Sequence, residues 1–280
     1  MSTRTMTAIL IAFAAATSAQ AETPVERGEY LVRGIAGCGN CHTPMGPDGF
    51  VMEQELGGRL VEDVEAFTAY APNITPGGRV AQWSDEELAR AIREGIRPDG
   101  TIIGPPMPYA MYRGLGDEDL KAIVAFLRTV PAVDNVVPAS TYRIPLPPAY
   151  GPPVESVTAP ERGVTVAYGG YLAGPVAHCM ECHTPMGPQG PMLDTHLGAG
   201  GFEFHGPWGT SIASNLTSHE DGLAAYGDAD LAKMITEGIR PDGSRMNPPM
   251  PYGHFKAFTP DDLQAVILYL RSLPPIPDQG

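Results

Sequence analysis

The sequence predicts an all-α protein in which one module is written twice, each copy a few short helices joined by loops rich in Gly and Pro. Three observations lead there. Gly28 to Gly49 (GEYLVRGIAGCGNCHTPMGPDG) and Gly169 to Gly190 (GGYLAGPVAHCMECHTPMGPQG) agree at 13 of 22 positions, and EGIRPDG and PPMPY recur farther on in the same order. The period of about 142 residues marks a duplicated domain rather than a solenoid. Apolar residues recur at helical spacing, and no run alternates convincingly at strand spacing.

The elements follow in chain order. Residues 1–21 read as an export signal: Arg4, then an apolar run from Ala8 to Ala16, then Ala19-Gln20-Ala21 as a small-residue cleavage site. The apolar run falls short of the roughly 18 residues of a spanning helix, and no later segment reaches that length. The first domain is expected over 22–130. In it Ser84 to Glu87 has a capping-box pattern ahead of Leu88, Ala91 and Ile92, and Gly95 ends that helix. Leu120, Ile123, Val124 and Leu127 form one apolar face of a closing helix. Residues 131–160 hold eight prolines without periodicity and read as an extended, semi-rigid linker. The second domain, 161–280, repeats the pattern: Leu231, Met234, Ile235 and Gly238, with Gly227 in place of the capping Ser, then Leu263, Val266, Ile267 and Leu270 behind Thr259-Pro260.

Gly and Pro number 63 of 280 residues, well above the usual ~12%. A chain so rich in turns needs help to form a core, and its cysteines identify the help. All four fall in two Cys-x-x-Cys-His motifs, Cys38, Cys41, His42 and Cys179, Cys182, His183. That spacing is the signature of c-type haem attachment. Two thiols one helical turn apart can form thioethers to the two vinyl groups, and the adjacent imidazole then meets the iron from the same side. Zinc binding, a thioredoxin-like redox pair and structural disulfides are the rival readings, and each leaves the paired histidines unexplained. The expected cofactors are therefore two covalently attached haems.

The first domain contains one histidine, His42, so its second axial ligand must come from elsewhere. Met107, in Pro-Pro-Met-Pro, lies 65 residues after His42, and Met250 lies 67 after His183 in the same setting. Flanking prolines restrict the loop and can present a weakly binding thioether already in place. Met45 and Met186 also recur, but three residues past each histidine they stay on its side of the ring. In the second domain His178, His196, His205, His219 and His254 compete with Met250.

With these residues in hand, the chain resembles tandem class I cytochrome c domains. It is especially similar to the multihaem cytochrome c subunits of periplasmic dehydrogenases, in which Trp-Ser-Asp-Glu-Glu, Gly-Ile-Arg-Pro-Asp-Gly and Pro-Pro-Met-Pro-Tyr segments recur. The resemblance implies Cys38, Cys41, His42 and Met107 at one haem and Cys179, Cys182, His183 and Met250 at the other. It implies a periplasmic electron-transfer protein rather than an enzyme, relaying electrons from a donor dehydrogenase to an acceptor cytochrome or oxidase. A haem enzyme of the dihaem peroxidase type, with one open iron, is the alternative.

Without the leader, 17 basic residues stand against 32 acidic ones, a formal charge of −15. Such a chain has no electrostatic reason to bind nucleic acid or an anionic membrane and suits a partner with a basic face. Arg97 and Arg240 read as turn residues with a possible second role toward haem propionates. Tyr30, Tyr171, Trp83 and Tyr226 read as core, and Asn73-Ile-Thr and Asn215-Leu-Thr as polar turns rather than glycosylation sites.

Overall fold

The computed structural model describes residues 21–188 and 190–278. The export signal read from residues 1–21 therefore falls, Ala21 apart, outside the described residues. Among the described residues ten α-helices run in order: α1 (Pro24–Glu29), α2 (Cys38–His42), α3 (Asp85–Glu94), α4 (Tyr109–Tyr112), α5 (Asp117–Leu127), α6 (Val166–Tyr171), α7 (Cys179–Cys182), α8 (Asp228–Glu237), α9 (Tyr252–Phe255) and α10 (Pro260–Ser272). Helices α1 and α6 each run on into a widened π-type turn, Tyr30–Ile35 and Leu172–Val176. The order of elements in the second half is that of the first.

The all-α expectation is overturned. Helix accounts for only 35% of the structure, and 12% is strand in several small sheets. Hairpins β1–β2 (Met45–Gly46, Gly49–Phe50) and β6–β7 (Met186–Gly187, Gly190–Pro191) have two-residue strands, too short for alternation to register. β3 (Arg59–Asp63) pairs with β4 (Phe67–Ala71) across a register shift at Leu60/Glu62 that breaks the period of two. β8 (Glu203–Gly206) and β9 (Gly209–Ile212) form the matching hairpin. The segment 131–160 is mostly irregular, as its prolines require, yet its β5 (Thr141–Tyr142) adds to β4 as a third strand.

The helix signals correspond to real caps. Ser84 and Glu87 form a reciprocal capping box, and Thr259 Oγ1 accepts from the Asp262 N–H at 3.2 Å. At Gly227, where the capping hydroxyl is missing, Asp230 accepts the Gly227 N–H at 3.1 Å instead. Gly95 and Gly238 end their helices at φ 69° and 66°, a conformation that costs glycine little.

Within each half the first helix crosses the last at a glycine. A Cβ on Gly28 would lie 2.0 Å from the Ala122 carbonyl oxygen, and one on Gly169 would lie 1.9 Å from that of Ala265. The repeated glycine thus brings α1 against α5 and α6 against α10 at backbone contact. Leu120, Ile123, Val124 and Leu127 are buried behind the first crossing, and Val266, Ile267 and Leu270 behind the second, with Leu263 half-buried. Arg128 ties α5 to the preceding loop through the carbonyls of Val80 (2.8 Å) and Trp83 (2.6 Å), and Arg271 does the same to Leu223 and Tyr226.

The halves meet through corresponding surfaces. Tyr30 donates to Asp262 at 2.6 Å, and Tyr171 donates to Asp119 at 2.7 Å, so each tyrosine reaches the corresponding aspartate of the other half. Gly34 faces Ala257, and Pro175 faces Gly114, in the same reciprocal sense. Arg27 adds a bidentate pair to Asp119 at 2.8 and 2.9 Å, both side chains buried. Tyr30 and Tyr171, read from sequence as core, thus serve the junction between the halves.

Candidate functional site

Both Cys-x-x-Cys-His segments form a single helical turn entered through left-handed backbone, at Gly37 (φ 59°) before α2 and at His178 (φ 42°) before α7. The turn puts Cys38 and Cys41 on one side, and likewise Cys179 and Cys182. All four cysteines are free. Burial pushes the thiols of Cys38, Cys179 and Cys182 up to about 12 and raises that of Cys41 as well. Redox-active pairs and thiolate metal sites depend on thiols made more acidic, so these cysteines are poised the other way. Among the described residues no group of three or more His, Cys, Asp and Glu side chains comes together as a metal site.

The two histidines are held alike. His42 Nδ1 lies 2.8 Å from the Pro72 carbonyl oxygen, and His183 Nδ1 lies 2.6 Å from that of Ser214. A carbonyl only accepts, so the proton sits on Nδ1 and the Nε2 lone pair is left for a metal. Burial lowers both pKa values, outweighing the carbonyls, and Arg59 lowers that of His42 further. Neutral imidazole is the form that binds iron.

The carbonyl that orients each histidine is fixed by the asparagine that follows it. Asn73 is buried; its Oδ1 accepts from the Thr75 N–H at 3.0 Å, and its Nδ2 donates to the Val133 carbonyl at 2.7 Å. Asn215, also buried, does the same with Thr217 (2.8 Å) and Ile276 (2.8 Å). The recurring Asn-x-Thr is therefore an internal clamp. Thr43 and Thr184 accept from Leu56 and Gly198, closing the loop on its other side.

Met107 and Met250 are half-buried and border the same apolar cluster as Cys38 and Cys179. Met45 and Met186 stand exposed in their hairpins. The Met107 loop is braced by the linker. Tyr142 donates to the Pro105 carbonyl at 2.8 Å, Tyr150 donates to the Ile103 carbonyl at 2.9 Å, and the Tyr150 ring stacks on Tyr109 at 4.8 Å. The other histidines of the second domain each make contacts of their own. His254 contacts the Arg33 carbonyl and the ring of Phe50, His178 lies edge-on to Tyr112 with its Nδ1 buried and unpartnered, and His219 accepts from Asp221 within its own turn. His196 and His205 contact Thr195 and Thr210. Arg97 and Arg240 bond within their own turns, to the carbonyls of Ile102 (2.6 Å) and Arg245 (3.0 Å).

The two motifs approach one another at the junction. The charge of Glu181 acts on the Cys41 thiol, and that of Cys41 acts on Cys182. Burial pushes the Glu181 carboxyl up to about 7. Sequence reading missed Arg59. Its Nη2 donates to the Asn40 carbonyl inside α2 at 2.8 Å, while its Nε is buried without a partner. The Tyr109 hydroxyl is also buried and unpartnered. Paired free thiols, an imidazole with a bare Nε2, and orphaned donors nearby are what a covalently attached, propionate-bearing haem would satisfy. The residues fit the group.

Residues 23–127 match the family described as "Cytochrome C oxidase, cbb3-type, subunit III". The cytochrome c subunit of a quinone alcohol dehydrogenase from Gluconobacter oxydans (strain 621H) is 32% identical, the alignment covering 96% of this chain and 59% of that protein. The fructose dehydrogenase cytochrome subunit of Gluconobacter japonicus is 31% identical over 94% of this chain and 56% of its own length. A diheme cytochrome c-type protein of Cereibacter sphaeroides is 28% identical over 89% and 86%. The chain thus spans little more than half the length of the two dehydrogenase subunits. No helix among the described residues is long and apolar enough to cross a membrane.

Proposed function

The chain is a cytochrome c-type protein related to dehydrogenase cytochrome subunits, and from that premise we propose that it is a periplasmic dihaem electron relay between a donor dehydrogenase and an acceptor cytochrome or oxidase. The observation that carries this reading is the matched pair of imidazoles, His42 on Pro72 and His183 on Ser214, each beside two free thiols. Two cytochrome domains, 22–130 and 161–280, would each hold one haem, joined by the linker 131–160.

A bound haem supplies one-electron iron chemistry. The protein's part is attachment, orientation and exclusion of water. Cys38 and Cys41, like Cys179 and Cys182, anchor the group. Pro72 and Ser214 hold each imidazole as the neutral tautomer, with the Nε2 that would bind the iron left free. Met107 and Met250 would supply the remaining ligands, and thioether ligation would raise the potentials. The contact between Tyr171 and Asp119, with its counterpart between Tyr30 and Asp262, holds the halves in fixed relation, as a relay requires. Partner contacts of such relays are small, below about 1,200 Å², and the acidic surface favours a basic partner in a salt-dependent way.

The test is a spectroelectrochemical titration of the full-length holoprotein, with carbon monoxide added after reduction. Two one-electron waves, a near-infrared Met-to-ferric-iron band and no carbon monoxide binding are expected. A low-potential haem that binds carbon monoxide would replace the relay with an enzyme of the dihaem peroxidase type.

A further inference from the structure

The two attachment sites correspond closely in backbone but not in charge. The Gly58 N–H donates to the His42 carbonyl at 2.6 Å, and the Gly200 N–H donates to the His183 carbonyl at 2.8 Å, which sets the two loops in register. The next residue is Arg59 in the first half and Gly201 in the second. Arg59 opens β3 and folds back over α2, bonding the Asn40 carbonyl between the two cysteines at 2.8 Å and its neighbour's carbonyl, on Leu60, at 3.0 Å. Its Nε is buried and makes no hydrogen bond, and among the described residues no carboxylate pairs with it. The cation acts on both Cys41 and His42, at Cys41 against the smaller opposing charges of Glu181 and Glu62. In the second half the charges that act most on Cys182 are those of Glu181, Cys179 and Cys41, all anionic when ionised.

A cation held against the attachment helix repels further positive charge at short range. Ferric haem carries one more positive charge than ferrous, so a fixed guanidinium at the attachment helix favours the reduced form. We propose that Arg59 is a potential-setting residue: it makes the haem held by Cys38, Cys41 and His42 the higher-potential one, so that electrons run from the second half to the first. One electron then leaves a ferrous iron in the second half and reduces a ferric iron in the first, with no bond made or broken. The donor docks on the second half and the acceptor on the first. This inference rests on the two-haem reading.

The experiment is a potentiometric titration of the full-length holoprotein and its Arg59→Gln, Arg59→Lys, Met107→His and Met250→His variants. The ligand swaps assign the waves. Met107→His should move the upper wave to lower potential and Met250→His the lower one. Arg59→Gln should lower the upper wave alone, and Arg59→Lys should leave it close to its original position. Two waves that Arg59→Gln leaves in place, or a shift only in the wave that Met250→His moves, would overturn the assignment to Arg59. Should Arg59→Gln fail to take up haem, the order still decides, because an upper wave moved by Met250→His contradicts the inference. A single wave in the unmodified protein, or carbon monoxide binding at one iron, would remove the two-haem relay itself.

Discussion

The Tyr171 hydroxyl, in the second half, donates to Asp119 of the first at 2.7 Å and accepts the Gly116 N–H at 3.1 Å. Asp119 also takes both arms of Arg27, so one buried carboxylate serves both halves. Removing that carboxylate leaves a buried guanidinium unpaired. Asp119→Ala should therefore destabilise the protein by about 3–5 kcal/mol, and Tyr171→Phe by about 1–2 kcal/mol. Denaturant unfolding followed by fluorescence checks both values. Equal, negligible losses would show that the cluster does not hold the junction.

The neighbouring Asp117 supports a pH prediction. The Ser156 hydroxyl, Arg93 and the Val157 N–H hold its carboxyl down at about 2. A carboxyl depressed in the folded state contributes stability that is complete above the unfolded pKa of about 3.9 and is lost as pH falls toward about 2. The linker residues 156–157 should therefore loosen from α5 over that window. Ser156→Ala should move the loss to higher pH. Denaturation midpoints measured across acid pH for both proteins decide it; superimposable profiles would exclude Ser156 as the cause.

The helix crossings give a steric prediction. Gly28→Ala places a methyl group 2.0 Å from the Ala122 carbonyl oxygen and 2.6 Å from the Phe126 Cβ, both held in α5. α1 has to move away, at a cost of about 1–3 kcal/mol or more, and Gly169→Ala should cost a similar amount. Thermal unfolding of each single variant checks this, and an unchanged midpoint in either would show that the crossing can open without loss.

How much of this was legible depended on the scale of the signal. The capping box at Ser84 and the apolar faces of α5 and α10 are local and strong, and each appears where its pattern pointed, while the Cys-x-x-Cys-His segments each form one helical turn. The strands were not legible because Met45–Gly46 and Gly49–Phe50 are too short to alternate and β3 carries a register shift. The role of Tyr142 was hidden because a Pro-rich composition reports extension but not what the extended chain lies against. Arg59 left no periodic trace at all; only the fold shows its guanidinium over Asn40. Recurrence was the one signal that could have been pressed further. Tyr30 with Tyr171 and Asp119 with Asp262 recur in both halves, and reciprocal contact between repeats is one reason for such pairs.

The linker's grip on the Met107 loop yields the last prediction. Tyr142 and Tyr150 bond two backbone carbonyls, on Pro105 and Ile103, on the approach to Met107. Both phenols also have their pKa values raised, chiefly by burial, so they stay protonated donors at neutral pH. A thioether binds iron weakly, and its occupancy depends on how firmly the loop presents it. Removing both hydroxyls, in the double variant Tyr142→Phe/Tyr150→Phe, deletes two neutral hydrogen bonds worth about 0.5–1.5 kcal/mol each while keeping the rings. If that energy holds the loop in place, the sulfur should become displaceable at one haem. The near-infrared Met-to-ferric-iron band should fall by up to half when imidazole is titrated into the oxidised protein. Imidazole should bind the first haem roughly ten-fold or more tightly than in the unmodified protein, as about 1.4 kcal/mol or more would imply. The second haem should not change, since neither tyrosine touches the Met250 loop's corresponding carbonyls. An unaltered imidazole titration in a normally folded double variant would reduce the linker to a tether. Loss of the band at both haems together would instead mean that the two Met loops are coupled through the junction.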